Sequence, residues 1–326
     1  MGLWKYLRNI MLTLVAACVL WIIFHHALSF YEKIKYPPMG ELVEVDGKDM
    51  HVYIKGDGDQ TIVLLSGLGT AAPVLDYYPL IEELAKDKRV VLVEPFGYGW
   101  SDMTNKERTA ENIVAELRTA LQKMNIEPPY ILMPHSISGI YSMYFVNTYP
   151  EEVEAVIGID PTLPQALEYF GESVPTMPDY YQYLAPLGAA RLAIAFQPEN
   201  FLPVAKAGVY SEKHLKMTKA ISAWKISNKN VISEANEMKN NVDKIADMKF
   251  PEDMPILIFT TKEDRVTADG KNNVTFFESQ LTDSAASKIV VYEGHHYLHW
   301  SRYKEISEEV KKFIQAVTAD KNSEGH

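Results

Sequence analysis

The segment Met133-Pro134-His135-Ser136-Ile137-Ser138-Gly139-Ile140 limits what this chain can fold into more than any other. The apolar run Tyr130-Ile131-Leu132-Met133 leads into it, and a helix-like stretch, Ile140 to Val146, leads out. The layout is strand, sharp turn, helix, with a serine at the apex. Such a turn presses strand against helix and ordinarily asks for glycine two residues to either side of the apex. Those positions hold Pro134 and Ser138. Ser138 is small enough to fit. Pro134 removes a strand N–H, but its fixed φ of about −65° is tolerable at a strand end. The serine is therefore either an ordinary buried residue or a nucleophile. A hydroxyl is a poor nucleophile alone, so the second reading requires a base, an orienting acid and an oxyanion hole elsewhere.

The surrounding pattern favours an α/β architecture. Leu42–Val45 and Met50–Ile54 alternate as strands, and Asp46-Gly47 between them marks a hairpin. Thr61–Leu65, Arg89–Val93, Tyr130–Met133 and Ala155–Ile159 are apolar strands. Helical stretches, Pro73–Lys86 and Arg108–Met124, fall between them, the latter with Ile113, Leu117 and Leu121 at helical spacing. Strands apolar along their whole length, alternating with helices, predict a mostly parallel sheet covered on both faces. Further on, Pro255–Thr261 and Lys288–Glu293 read as strands, and Tyr303–Val317 as a closing amphipathic helix before a frayed tail.

Candidate partners for Ser136 follow from these strand ends. Asp264 lies just past the strand Pro255–Thr261, within reach of a histidine ring; Glu263 is a weaker neighbour, and Asp160, which ends the sixth strand, is the alternative acid. The histidines are His295, His296 and His299, in the loop after the last strand. Their clustering could suggest a metal, but no acidic helix motif accompanies them, so no metal and no cofactor is expected.

Four segments in the right order resemble the α/β-hydrolase superfamily, along nearly the whole chain after about residue 40: the Ser136 turn, Glu94-Pro95-Phe96-Gly97-Tyr98-Gly99-Trp100-Ser101-Asp102, the strand-end Asp264, and His296-Tyr297-Leu298-His299. Glu94 stands where the family's stretch begins with Asp. The resemblance implies an eight-stranded, mostly parallel sheet with helices on both faces. It also implies a helical cap inserted after the sixth strand, and His296 as the base. The oxyanion hole would use the backbone N–H of Ile137 and, from Ser66-Gly67-Leu68-Gly69 after the third strand, that of Leu68. An aspartate at the apex would instead point to a dehalogenase or epoxide hydrolase, which attack through a carboxylate. The expected organisation is anchor and linker over 1–35, core over 36–160 and 251–326, and cap over 161–250. Pocket-lining candidates in the cap are Tyr169, Phe170, Tyr180, Tyr181, Tyr183, Phe196, Phe201 and Trp224.

The N-terminus is distinct. Lys5 and Arg8 precede Ile10–Phe24, an apolar run broken only by Thr13. A span needs about 20 apolar residues, which Ile10–Phe30 supplies if His25 and His26 lie near headgroups. A transmembrane signal-anchor competes with a cleaved signal peptide and with acylation at Cys18 of Val15-Ala16-Ala17-Cys18. Lys5 and Arg8 favour an extracytoplasmic catalytic domain on a single-pass cell-membrane protein, although Lys33 and Lys35 stand on the other flank.

A net charge of −11 with no basic block argues against nucleic acid as a partner, and one cysteine excludes an intrachain disulfide. The expectation is a membrane-tethered serine hydrolase. It would cleave an ester, thioester or small amide with an apolar acyl part through an acyl-enzyme on Ser136. The alternatives are a short-peptide peptidase and a non-catalytic ligand-binding protein on the same scaffold.

Overall fold

A computed structural model describes residues 2–174, 176–262, 267 and 269–324. Eight strands form one sheet in the order β1-β2-β4-β3-β5-β6-β7-β8. They are β1 (Glu41–Val45), β2 (Lys48–Lys55), β3 (Thr61–Leu65), β4 (Arg89–Val93), β5 (Tyr130–Pro134), β6 (Val153–Ile159), β7 (Ile256–Thr261) and β8 (Lys288–Tyr292). β2 runs antiparallel to both β1 and β4, and every pairing from β4 to β8 is parallel. The β1–β2 loop is the expected hairpin turn: Asp46 and Gly47 both take positive φ, 52° and 73°, which matches the twist of the flanking strands.

The central strands, β3 to β7, are buried on both faces, which explains their apolar sequence. In β3, Ile62 and Leu64 join one core cluster, and Val63 and Leu65 the other. α4 (Ala110–Lys123) and α5 (Ser138–Thr148) cover one face. α3 (Tyr78–Leu84) and α11 (Tyr303–Glu324) cover the other. The stretch expected as one helix from Pro73 is two, α2 (Pro73–Asp76) and α3, meeting at Tyr77. Pro79 in the first turn of α3 has no N–H to continue an unbroken helix from α2. The closing helix also runs further than its apolar pattern predicts, through Ala319 to Glu324.

Between β6 and β7 the chain leaves the sheet and forms α6 (Ala166–Phe170), α7 (Ala189–Phe196), α8 (Glu212–Lys225) and α9 (Lys229–Lys244), with single-turn helices between them. We call this layer the cap. One further short helix, α10 (Asn273–Glu278), precedes β8. At the other end of the chain, α1 (Gly2–Lys35) is a single helix of 34 residues, about 51 Å long, and long and apolar enough to cross a membrane.

Candidate active site

β5 ends at Pro134, and the backbone turns sharply. The His135 N–H donates to Leu65 O at 2.9 Å, and Ser136 then adopts φ 54°. A left-handed serine is strained by about 1–3 kcal/mol and persists only where its surroundings enforce it. Here they do. The Ser136 carbonyl accepts from Thr162 N at 2.7 Å and from Gly139 N at 2.9 Å, and its own N–H donates to Ile159 O at 3.3 Å. α5 then begins at Ser138.

The departures from a glycine-flanked turn now have physical explanations. Ser138 uses its hydroxyl, which donates to Ser66 O at 2.5 Å and ties the helix start to the loop after β3. Close approach is handled one residue later: a Cβ on Gly139 would come within 2.5 Å of Thr162 O. At Pro134, alternation sends the missing N–H away from β3, toward β6, and the β5–β6 register stops at Leu132. Pairing with β6 resumes only at the bridge between His135 and Ile159, so the missing donor falls in a gap of the β5–β6 ladder.

The loop after β3 lies directly against this turn. A Cβ on Gly67 would sit 2.7 Å from His135 Nδ1 and 3.1 Å from Ser136 Cβ, so only glycine lets the loop approach this closely. The next N–H is that of Leu68. Among the described residues, neither Leu68 N–H nor Ile137 N–H has an intramolecular acceptor. The loop is held from behind: Gly69 N donates to Tyr98 Oη at 3.2 Å, and Tyr98 Oη donates to Glu234 Oε2 at 2.7 Å. Tyr141 of α5 donates to the other oxygen of Glu234 at 2.9 Å. Burial pushes the Glu234 carboxyl up, while the two phenols pull it back toward the charged form.

His296 is joined to an acid, and that acid is Asp160. Their Nδ1 and Oδ2 lie 2.6 Å apart. The second carboxylate oxygen of Asp160 accepts from Thr260 Oγ1 at 2.8 Å, and its backbone, at φ 44°, is tied by N–H to Phe259 O at 2.7 Å. Asp264 and Glu263 lie outside the described residues. His135, next in the chain to Ser136, also contacts His296: its Nε2 donates to the His296 carbonyl at 3.2 Å, and the two rings are 4.7 Å apart. Burial, reinforced by His299 and His296, drives His135 well below the usual imidazole range, so it stays neutral. Ser136 is half-buried, and its hydroxyl makes no hydrogen bond among the described residues.

The three clustered histidines do not converge. His299 pairs with Asp76 at 2.6 Å, stacked on Tyr77, while His295 stacks on Trp300. Among the described residues no group of three or more acidic, histidine or cysteine side chains is placed to hold a metal ion.

Beside the His296–Asp160 pair lies a cavity of ≈ 380 Å³ whose apolar lining includes Leu167, Phe170, Phe276 and Phe277. A second, of ≈ 390 Å³, lies between Gly69–Ala72 with Tyr297 and the cap segment Phe201–Val204. Of the cap aromatics expected to line a pocket, Phe170 faces the first cavity and Phe201 the second. Tyr183 and Trp224 line a third on the α1 side, Tyr169 packs on Phe276, and Tyr180 and Phe196 are exposed. Glu234, Tyr98 and Tyr141 were not visible as site residues in the sequence. The glutamate lies on a helix with no motif, and only Tyr98 falls in a recognisable stretch.

The sequence matches the family described as alpha/beta hydrolase fold over residues 60–303. It is 32% identical over 271 residues to the uncharacterized protein YbdG of Bacillus subtilis, covering 81% of this chain and 82% of that one. Among solved structures, the epoxide hydrolase VrEH1 of Vigna radiata superposes with a TM-score of 0.63 at 18% identity, over 84% of this chain and 97% of that one. The Cfl2 protein of Burkholderia cenocepacia gives 0.62 at 19% identity, over 84% and 94%. At such identities these two structures speak to the fold alone. With the family match spanning most of the chain, and with the sheet order, elbow and strand-end pair described above, the chain belongs to the alpha/beta hydrolase family.

Proposed function

We propose that this chain is a membrane-tethered serine hydrolase that cleaves an ester, thioester or small amide through an acyl-enzyme on Ser136. The observation that carries the reading is the left-handed Ser136, held at the tip of β5 against the two free N–H groups of Leu68 and Ile137. His296 would accept the Ser136 proton as Oγ adds to the substrate carbonyl, then return it to the leaving group as the carbonyl–heteroatom bond breaks. Water repeats the cycle, giving up its proton to His296 and releasing the acid. Asp160, bound to Nδ1, would hold the tautomer that leaves Nε2 free and would stabilise the imidazolium. The Leu68 and Ile137 amides would stabilise the oxyanion, each worth about 2.7–4 kcal/mol when a comparable donor is removed.

A serine at the apex does not fit attack by a carboxylate, the chemistry that an aspartate there would imply. The apolar part of the cavity beside His296, formed by Leu167, Phe170, Phe276 and Phe277 within an otherwise mostly polar lining, favours a substrate with an apolar acyl part. Tethering rests on α1; Lys5 and Arg8 before its apolar core favour a catalytic domain outside the cytoplasm, against Lys33 and Lys35 in its last turn.

The test is fluorophosphonate labelling of the full chain with mapping of the labelled residue. The expected result is a label on Ser136 that disappears in Ser136→Ala and slows sharply in His296→Ala. A folded protein that takes no label would overturn the reading.

A further inference from the structure

We propose that the cap is seated in the outer part of the bilayer, and that the substrate is an acyl-ester lipid drawn laterally from that bilayer into the site. The substrate half of this inference rests on the acyl-transfer reading above; the seating half does not.

The seating follows from how α1 meets the cap. Trp21 Nε1 donates to Leu187 O at 3.1 Å, and His25 packs on Gly188. Arg191 of α7 donates to Ser29 Oγ at 3.0 Å and to both carboxylate oxygens of Glu32, at 2.8 and 2.6 Å. Trp224 of α8 adds a bond to Glu32 at 3.0 Å. Residues 21, 25, 29 and 32 lie on one helix face, so the cap is clamped along the upper part of α1.

The position of that clamp on the helix fixes its depth. Counting from Ile10, the first apolar residue after Lys5, Arg8 and Asn9, Trp21 is about 17 Å further along the helix axis. A hydrocarbon core is about 30 Å thick. With Arg8 at the inner headgroups, the outer edge of the core therefore falls near Ser29 or Phe30. Leu187 and Gly188, which touch Trp21 and His25, then lie below that edge. Snorkelling of Lys5 and Arg8 would shift the span toward the N-terminus by a turn or so. Trp21 would then lie about 8 Å inside the outer edge instead of about 13 Å, still in the outer half of the core.

The cap's surface matches such a position. Outside α1, eight of the eleven exposed large apolar side chains among the described residues fall between Met177 and Val204. α7 shows the design. Arg191 faces α1, Ile194 packs on the core cluster with Trp224, and Leu192 and Phe196, four residues apart, face outward. Phe196 is 82% exposed and Val204 65%. A patch of this kind in water is a liability; at the membrane interface it is an anchor.

The same segment continues to the site. α7 runs into Phe201–Val204, which line the ≈ 390 Å³ cavity opposite Gly69–Ala72, the residues just after the Leu68 donor, and Tyr297, next to the base. A lipid chain entering beside Phe196 and Val204 would thus carry its ester carbonyl toward the oxyanion loop without crossing water.

The experiment uses the full chain in phosphatidylcholine–phosphatidylglycerol vesicles. In a Cys18→Ser background, Phe196→Cys and Lys312→Cys are each labelled with an environment-sensitive fluorophore. Brominated acyl chains should quench the label at 196 at least threefold more than at 312, which is on the exposed face of α11. Equal quenching would overturn the seating. In parallel, the double variant Leu192→Asp, Phe196→Asp should lose at least tenfold in turnover of a fluorogenic acyl lipid embedded in the vesicles. Its fluorophosphonate labelling and its turnover of a short water-soluble ester should stay within twofold of wild type. Unchanged lipid turnover, or an equal loss on both substrates, would overturn lateral entry. Absence of fluorophosphonate label in the wild type would sink the acyl-transfer reading and the substrate class with it, while the quenching result would still decide the seating.

Discussion

His296 Nδ1 lies 2.6 Å from Asp160 Oδ2, a carboxylate just past the end of β6 and separated from the histidine by 136 residues of chain. Asp160 is also the better-fixed group of the two: its side chain is 10% exposed against 41% for His296. Thr260 and the Phe259 carbonyl hold it from the neighbouring strand. An acid anchored in this way can set the orientation of a ring that is itself open to the cavity.

The first prediction separates the two candidate acids. Asp160→Asn should lower kcat/KM for an activated ester by about 10³–10⁴-fold, because the amide no longer holds the productive tautomer. Asp264→Asn should cost less than tenfold. The reverse order, measured on folded proteins, would return the role to Asp264.

Gly67→Ala tests the approach of the oxyanion loop. The added methyl would meet His135 Nδ1 at 2.7 Å and Ser136 Cβ at 3.1 Å, and the loop must retreat. Withdrawal of the Leu68 N–H should reduce kcat by about 10²–10³-fold. KM should change little, since the donor acts on the developing oxyanion rather than on the bound ester. Steady-state kinetics on one ester series decide this.

Tyr98→Phe probes the support behind that loop. It removes the acceptor of the Gly69 N–H and one of the two phenols on the buried Glu234. Leaving those groups unpaired should cost about 1–3 kcal/mol of stability. We expect kcat to fall about tenfold at constant KM. A variant destabilised to that extent but fully active would show that the network serves the core rather than the site.

A pH effect on stability should come from Lys225. Burial, helped by the charge of Lys33, pushes this amine down to about 8, while its Nζ donates to Ser101 O at 2.5 Å. In the unfolded chain it titrates near ~10.4. Between the two values the unfolded state binds more protons, so stability rises with pH across that window. Below about pH 8 the folded protein carries the whole cost, about 3 kcal/mol as an order of magnitude. Thermal unfolding in micelles at pH 7.5 and pH 10 should show wild type gaining on Lys225→Met; parallel behaviour of the two proteins would remove Lys225 as the cause.

Much of this molecule is written locally in its sequence. The strands Thr61–Leu65 and Arg89–Val93 are where their apolar runs place them, because burial on both faces leaves no other pattern. The hairpin at Asp46-Gly47 and the strand–serine–helix turn at Ser136 are equally local, since each depends on a few backbone angles. Position after β3 also points to Leu68, whereas His296 is picked out from the three histidines after β8 by its likeness to the family's motif. The partner of His296 is not local information. Asp160 and Asp264 both follow apolar strands, and the choice depends on how β6, β7 and the loop after β8 converge, which no short segment encodes. The same holds for Glu234, whose helix carries no sign of the loop it supports through Tyr98. It holds above all for α1. Its sequence shows a helix apolar enough to span a bilayer, but only the packed structure sets Trp21 against Leu187 and Glu32 against Arg191. Local backbone preference and hydrophobic periodicity act over a few residues and can be read directly. Pairings across a hundred residues or more are decided by the shape of the folded core, and here they determine which acid meets His296 and where the cap meets α1.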